Sequence, residues 1–152
     1  FIGRLQSNKT KAVAENFQWV HTVDRLKIAK RLSSQRPHYA GDLDVCIEVN
    51  VDEEPGKGGV SPGELLPLAT EVAGLPKLRL RGLMCIPAAR EGFDAQREPF
   101  RRLRELAGSL AGAGIETDTL SMGMTADFVA AIHEGATIVR IGTALFGERR
   151  KV

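Results

Sequence analysis

The sequence predicts an α/β fold: a parallel (β/α)8 barrel of the TIM type, incomplete because it lacks its first two β/α units. Strand-like and helix-like segments alternate along the 152 residues, an order typical of a parallel sheet covered by helices. The G-x-G-x-x-G sequence of an open dinucleotide-binding sheet is absent. Since a closed barrel needs eight strands and typically about 250 residues, an incomplete barrel is the better interpretation.

The strand segments are short apolar runs that end at small or polar residues. The clearest covers residues 44–51, where Val45 and Ile47 share one face while Cys46 and Glu48 share the other. The first pair suits the layer beneath the helices, and the second suits a barrel interior. Further strand segments cover residues 19–23, 78–87, 120–122 and 138–146, and residues 1–3 have the pattern of a strand end.

The helical segments carry apolar residues at helical spacing and follow residues that can cap a helix. Asn8, Asp24 and Thr125 are the predicted N-caps. In the helix after Thr125, Phe128 and Ile132 are expected to pack inward. The predicted helices cover residues 8–16, 24–32, 61–74, 94–113 and 125–135.

Composition and charge exclude several classes of function. The 21 basic and 19 acidic residues give a net charge of +2, and aromatic residues make up 5%, so nucleic acid is not an expected partner. No apolar run approaches the roughly 20 residues that span a bilayer and no signal peptide is visible, so a cytoplasmic protein without membrane contact is expected. Cys46 and Cys85 lie in apolar runs typical of buried thiols, and the histidines lack metal-ligand spacing.

The chain begins at Phe1, inside an apolar segment and without a methionine. We therefore expect an N-terminally truncated piece of a longer protein, with residues 1–147 forming the partial barrel and residues 148–152 a C-terminal tail. An incomplete barrel leaves strand edges unpaired, so the isolated chain is expected to be marginally stable or prone to aggregation.

Two apolar segments near the C-terminus break at glycines, Gly123 and Gly142, and the first runs into a helix start. Small residues at the carboxyl end of a strand free backbone N–H groups, and a helix N-terminus adds partial positive charge, so these segments favour a phosphate. In parallel β/α barrels the loops after the last two strands often bind that group. The alternative is that the hydroxyls of Ser121 and Thr143 only cap turns.

Arg140 is predicted to face the barrel interior, because alternation places it with Ile138 and Gly142 and opposite the neighbouring apolar residues. A buried guanidinium needs a partner. That partner is either a ligand or an inward carboxylate such as Glu48, and the sequence leaves both open.

Four segments resemble the YggS/PROSC family of pyridoxal phosphate (PLP) homeostasis proteins, whose barrel is similar to that of alanine racemase (PLP fold type III). The likeness runs in the same order from Phe1 to the C-terminus, and Thr125 stands where the family more often has serine. The segments are Phe1-Ile2-Gly3-Arg4-Leu5-Gln6-Ser7-Asn8-Lys9, Arg81-Gly82-Leu83-Met84, Ser121-Met122-Gly123-Met124-Thr125-Ala126-Asp127 and Val139-Arg140-Ile141-Gly142-Thr143-Ala144-Leu145-Phe146-Gly147.

The resemblance implies PLP as the cofactor, with its phosphate bound by Ser121, Gly142 and Thr143. Gly123 would allow close approach of the backbone. The resemblance also implies that Arg140 donates a hydrogen bond to the pyridine nitrogen. Because arginine stays protonated, that nitrogen would remain unprotonated and the ring would be a weak electron sink.

Met84 and Met122 are candidates to flank the ring, with ordinary core packing as the alternative. The Schiff-base lysine of the family, and a Gly-Glu-Asn-Tyr-like motif that helps hold the cofactor, belong to units absent from this chain. Lys9, Lys11 and Lys57 lie in other segments, so no covalent imine is expected at the native site.

Three functions remain open. The favoured one is a PLP carrier or regulator in intracellular PLP homeostasis, without catalytic activity, monomeric at full length, with PLP and PLP-dependent apoenzymes as partners. A fold-type III enzyme such as an amino-acid racemase needs a second proton-transfer group, and the single tyrosine, Tyr39, is predicted in a loop. A barrel enzyme acting on phosphate esters would use the same anion site.

Overall fold

Five parallel strands form the sheet of this computed structural model, which describes residues 1–147. Each strand pairs with the next in chain order, which confirms the predicted α/β class with a parallel sheet. The strands are β1 (Trp19–Val23), β2 (Leu43–Glu48), β3 (Leu78–Met84), β4 (Thr119–Met124) and β5 (Ile138–Arg140). The helices are α1 (Thr10–Asn16), α2 (Leu26–Gln35), α3 (Leu65–Ala73), α4 (Phe93–Gly112), α5 (Phe128–His133) and α6 (Thr143–Phe146), and a 3₁₀ turn (Pro62–Glu64) precedes α3.

The sheet curls strongly. His21 on β1 lies within hydrogen-bonding distance of Ser121 on β4, at 2.8 Å, although β2 and β3 separate these strands. In a flat sheet the same strands would be roughly 14 Å apart. The curl confirms a partial barrel, and we call its concave face the lumen.

The two faces of the sheet carry different side chains, as the alternation along β2 predicts. Val45 and Ile47 are fully buried in the hydrophobic core between the sheet and the helices. Cys46 and Glu48 lie on the lumen side, outside that core. The lumen therefore combines polar and polarisable groups, whereas the helix-covered face is apolar.

Gly82 on β3 permits the close approach of β4. A Cβ atom at this position would lie 1.8 Å from the carbonyl oxygen of Thr119, which no side chain tolerates. The strands could pair here only after a backbone shift, so the Arg-Gly-Leu-Met segment needs its glycine for sheet packing.

Two predicted strand segments differ in the structure. At residues 1–3 the backbone nitrogen of Phe1 donates to the Trp19 carbonyl oxygen at 2.6 Å and the N–H of His21 donates to the carbonyl oxygen of Phe1, but no regular strand forms. The segment 138–146 is a strand only as far as Arg140. The N–H groups of Leu145 and Phe146 donate to the Gly142 carbonyl oxygen, so the chain turns into α6 instead.

The predicted helix caps lie one or two residues too early. The N-cap positions are Lys9, Arg25 and Asp127, and none of these side chains caps its helix. Asp24 binds the guanidinium of Arg25 instead, at 2.7 Å. The Asp24 carboxylate is therefore used by a neighbouring side chain.

The expectation that Phe128 and Ile132 pack inward is wrong, since they are 36% and 53% exposed. The smaller Ala131 faces the sheet. A Cβ atom at Gly123, whose φ is +94°, would lie 2.6 Å from the Cβ of Ala131. Since α5 lies this close to β4, only small side chains fit between them.

Three further features of residues 1–147 complete the description of the fold. Cys46 and Cys85 are buried free thiols, as predicted. No helix in this range is both long and apolar enough to cross a membrane. No group of three or more metal-ligating side chains occurs in the same range. The predicted C-terminal tail, residues 148–152, lies outside the described residues.

Candidate functional site

The carboxyl ends of β4 and β5 lie side by side at one end of the lumen. Ser121 pairs with Ile138 and Met124 pairs with Arg140. The two glycine-broken segments are therefore adjacent, as the sequence predicts. A cavity of about 660 Å³ beside them is lined by Ile2, Trp19, His21 and residues 138–142.

Arg140 is half-buried, and its side chain reaches Ser121 on the lumen face. Its Nη1 donates to the carbonyl oxygen and to the Oγ of Ser121, at 2.8 and 2.9 Å. Its Nη2 donates to the carbonyl oxygen of Cys85 at 2.8 Å. Among the described residues Arg140 forms no ion pair with Glu48 or with another carboxylate, so the ion-pair alternative is not realised.

The guanidinium keeps donors for a ligand. Arginine has five N–H donors, and the hydrogen bonds to Ser121 and Cys85 use three, which leaves two. Burial lowers the pKa of Arg140, yet an arginine side chain remains a cation in a protein. The geometry therefore presents an anchored positive charge beside the cavity, with two donors that no described residue uses.

Ser121 lies beneath Arg140 and is fully buried. Its Oγ accepts from Arg140 and lies 2.8 Å from Nδ1 of His21. Burial, helped by the charge of Arg140, lowers the pKa of His21 to about 4. His21 is therefore neutral at pH 7, and its Nδ1 can accept the hydroxyl proton of Ser121.

The end of β5 exposes small residues. Gly142 and Thr143 are exposed, and their backbone N–H groups have no hydrogen-bond partner among residues 1–147. The Oγ1 of Thr125, from the loop after β4, accepts from the N–H of Ala144 at 3.4 Å. A hydroxyl and two unpaired N–H groups therefore meet at this rim.

The remaining predicted site residues do not lie together in the structure. Met84 is buried on the lumen side, outside the hydrophobic core. Met122 is fully buried within that core, on the face of β4 opposite Ser121, so it is not brought to the lumen. Gly123 approaches α5 closely, which gives its missing Cβ a packing role.

Glu48, at the carboxyl end of β2, is half-buried without an ion pair among the described residues. Burial raises the pKa of its carboxyl group, and the nearby charge of Asp24 raises it further. The opposing charge of Arg140 limits that rise. Glu48 is therefore an acid–base group close to the Arg140 site.

Sequence reasoning missed His21 and Asp52. His21 shows one signal, since it is the ionisable residue of its strand and alternates onto the face of Trp19. Asp52 binds Arg90 at 2.7 Å and accepts from the N–H of Ala88, which ties together the loops after β2 and β3. These hydrogen bonds lower the pKa of Asp52 against the opposing effect of burial, and its spacing gave no signal.

The sequence model described as "Alanine racemase, N-terminal domain" matches residues 1–150. The chain belongs to this family. Among its curated relatives, the "Pyridoxal phosphate homeostasis protein" of Pseudomonas aeruginosa is 58% identical over 149 residues, which cover 98% of this chain and 64% of the relative. The Escherichia coli K12 protein of the same name is 51% identical over 154 residues, with 98% and 64% coverage. The chain thus spans less than two thirds of the length of these relatives.

Solved structures of the family share the fold. PipY of Synechococcus elongatus, determined with PLP bound, superposes with a TM-score of 0.86 at 32% identity, covering 96% of this chain and 68% of PipY. Alanine racemase of Clostridium difficile superposes with a TM-score of 0.75 at 16% identity, covering 99% of this chain and 39% of the racemase. The second likeness shows the barrel fold alone, and both confirm the predicted partial barrel of the alanine racemase type.

Proposed function

We propose that this chain provides the Arg140 side of a PLP site that holds the cofactor for intracellular PLP homeostasis, without catalysing a reaction itself. The observation that carries the proposal is the anchored guanidinium of Arg140, which has spare donors and no carboxylate partner among the described residues. Relatives named for PLP homeostasis and a related structure with PLP bound support it. Such a holder would supply PLP to PLP-dependent apoenzymes.

The residues at this rim fit PLP. Arg140 would donate to the pyridine nitrogen, and the unpaired backbone N–H groups of Gly142 and Thr143 would bind the phosphate. The hydroxyl of Thr125 lies at the same rim. Ser121 is predicted from the sequence to bind the phosphate, but its hydroxyl oxygen accepts a hydrogen bond from Arg140. We therefore assign Ser121 the role of holding the guanidinium in place.

PLP supplies an electrophilic carbonyl and an electron sink, which is strong only when the ring nitrogen is protonated. An arginine at that nitrogen would leave it unprotonated and the sink weak, which suits holding the cofactor. The single tyrosine, Tyr39, is 80% exposed and precedes β2, at the opposite end of the sheet. From that position Tyr39 does not reach the Arg140 site and cannot serve as the second proton-transfer group.

A racemase-like enzyme is a second candidate because of Glu48. This carboxyl group lies near Arg140 and its pKa is raised, as proton-transfer groups require. Assay of alanine racemization in the presence of PLP separates the two functions. We expect no turnover; turnover abolished by Glu48→Gln would favour the enzyme.

PLP titration of the chain, followed by absorbance, tests the holding function. We expect PLP to bind more tightly than pyridoxal or inorganic phosphate, without a lysine adduct after borohydride treatment. Arg140→Met should weaken PLP binding roughly tenfold or more, because a charged hydrogen bond is lost. Arg102→Met, on the exposed face of α4, is the control and should change nothing. Equal affinity for simple phosphate esters would favour the phosphate-ester enzyme instead.

A further inference from the structure

We propose that His21 is a positioning residue that acts through Ser121 to hold the Arg140 guanidinium in the geometry that recognises a pyridine nitrogen. The inference rests on the proposed PLP function and extends the site to β1, which lies three positions from β4 in the sheet. It starts from a chain of two hydrogen bonds, Arg140 to Ser121 at 2.9 Å and Ser121 to His21 at 2.8 Å.

The direction of this chain follows from the available protons. The guanidinium can only donate, so Ser121 Oγ accepts from Arg140. The hydroxyl carries one proton, and His21 Nδ1 is the acceptor within reach. This direction requires a neutral His21 with its proton on Nε2, which is the tautomer that the proposal assigns.

The surroundings of His21 favour the neutral form. The side chain is 7% exposed, which penalises a charged imidazole. The charged side chain that acts on it is Arg140 on β5, a cation. Trp19 packs against the ring at a centroid distance of 5.7 Å and carries no charge.

The link matters because Arg140 has competing partners. Glu48 and Asp127 both exert an attractive charge on its guanidinium, although neither pairs with it. If the hydroxyl of Ser121 could rotate, Arg140 would lose an oriented acceptor and could turn towards a carboxylate. His21 fixes the hydroxyl, so the spare donors of Arg140 stay available beside the cavity.

The tautomer of His21 in the unsubstituted chain is the first test. Long-range ¹H–¹⁵N NMR correlations of the imidazole distinguish a proton on Nε2 from one on Nδ1. We expect the neutral Nε2–H form at pH 7. A proton on Nδ1, or a cationic ring, would overturn the proposal without any variant being made.

Ligand discrimination is the second test. The probes are PLP, N-methylpyridoxal 5'-phosphate, whose ring nitrogen cannot accept a hydrogen bond, and inorganic phosphate. His21→Leu should reduce the preference for PLP over the N-methyl compound at least about fivefold, because the loss of an oriented charged hydrogen bond is of that size. Phosphate affinity should stay unchanged.

Matched variants separate positioning from a merely structural role. His21→Asn places an oxygen where Nδ1 stands, so it should restore the preference for PLP. His38→Leu, an exposed histidine before β2, should leave it as it is. A His21→Leu chain that keeps full discrimination would refute the role of His21, whereas failure of the unsubstituted chain to prefer PLP over phosphate would refute the proposed function.

Discussion

The Nδ1 atom of His21 lies 2.8 Å from the Oγ atom of Ser121, across the lumen and 100 residues apart in sequence. Ser121 in turn accepts from Arg140, so three strands of the curled sheet meet at one hydroxyl. This arrangement places a neutral imidazole beneath a cation, and the stability of the fold should depend on keeping that imidazole neutral.

Stability should fall as the pH drops from about 6.5 towards 4. His21 in the unfolded chain binds a proton near pH 6.5, whereas burial lowers its pKa in the fold to about 4. The unfolded state therefore holds more protons in this window, which lowers the free energy of unfolding by up to about 2 kcal/mol at pH 5. Urea denaturation between pH 7.5 and 4.5 measures the effect.

The His21→Asn variant isolates this contribution, since Asn does not titrate. Glu48 has the opposite effect on the pH dependence of stability, because its pKa is raised. The pH dependence of the variant must therefore be compared with that of the unsubstituted chain. An equally steep loss of stability in both chains would contradict the assignment to His21.

Gly82→Ala should destabilise the fold by about 3 kcal/mol, the cost of forcing a methyl group into a packed contact. The added Cβ would lie 1.8 Å from the Thr119 carbonyl oxygen, which is backbone and cannot rotate away. Gly108→Ala is the control, because its Cβ meets open space within α4 and should stabilise by about 1 kcal/mol. Chemical denaturation of both variants provides the comparison, and similar effects would contradict the strand contact.

Arg36→Met should cost about 4 kcal/mol, as expected for breaking a buried charged network. Arg36 is 1% exposed and donates to the carbonyl oxygens of Ala14, Phe17, Ala40 and Gly41. These oxygens would lose their partner in a buried site. Lys30→Met, on the exposed side of α2, should change the midpoint of denaturation little, and an equal shift in both variants would contradict the account.

The two thiols should be almost inert in the native chain. Burial raises the pKa of both Cys46 and Cys85 to about 12, so the reactive thiolate is scarce at pH 8. A disulfide reagent should label them at least about 100-fold more slowly than it labels the denatured chain. Labelling of either thiol at the denatured rate would show that it is accessible.

Local pattern was enough to predict the strand order and the faces of several side chains. A period of two along a strand fixes the face of each side chain, so alternation predicted the inward position of Arg140. Consecutive β/α units pair in order, which brought β4 and β5 together as expected. Alternation likewise assigned Val45 and Ile47 to the helix-covered face.

Contacts that depend on curvature or close packing left no mark on the local pattern. The link between His21 and Ser121 exists only because the sheet curls, and Gly123 brings α5 so near that Ala131 replaces Phe128 on the buried side. Arg36 looks like any surface arginine in sequence, yet backbone carbonyl oxygens surround it. The His21 and Arg36 contacts join segments that are 19 to 100 residues apart in the chain.

The ¹⁵N chemical shift of the ring nitrogen of labelled PLP, bound to the chain at pH 7, is the most direct measurement of the central claim. Donation from Arg140 predicts the shift of an unprotonated, hydrogen-bonded pyridine nitrogen, which moves towards the value of the free cofactor in Arg140→Met. A pyridinium shift, or a shift unaffected by that substitution, would contradict recognition of the ring by Arg140.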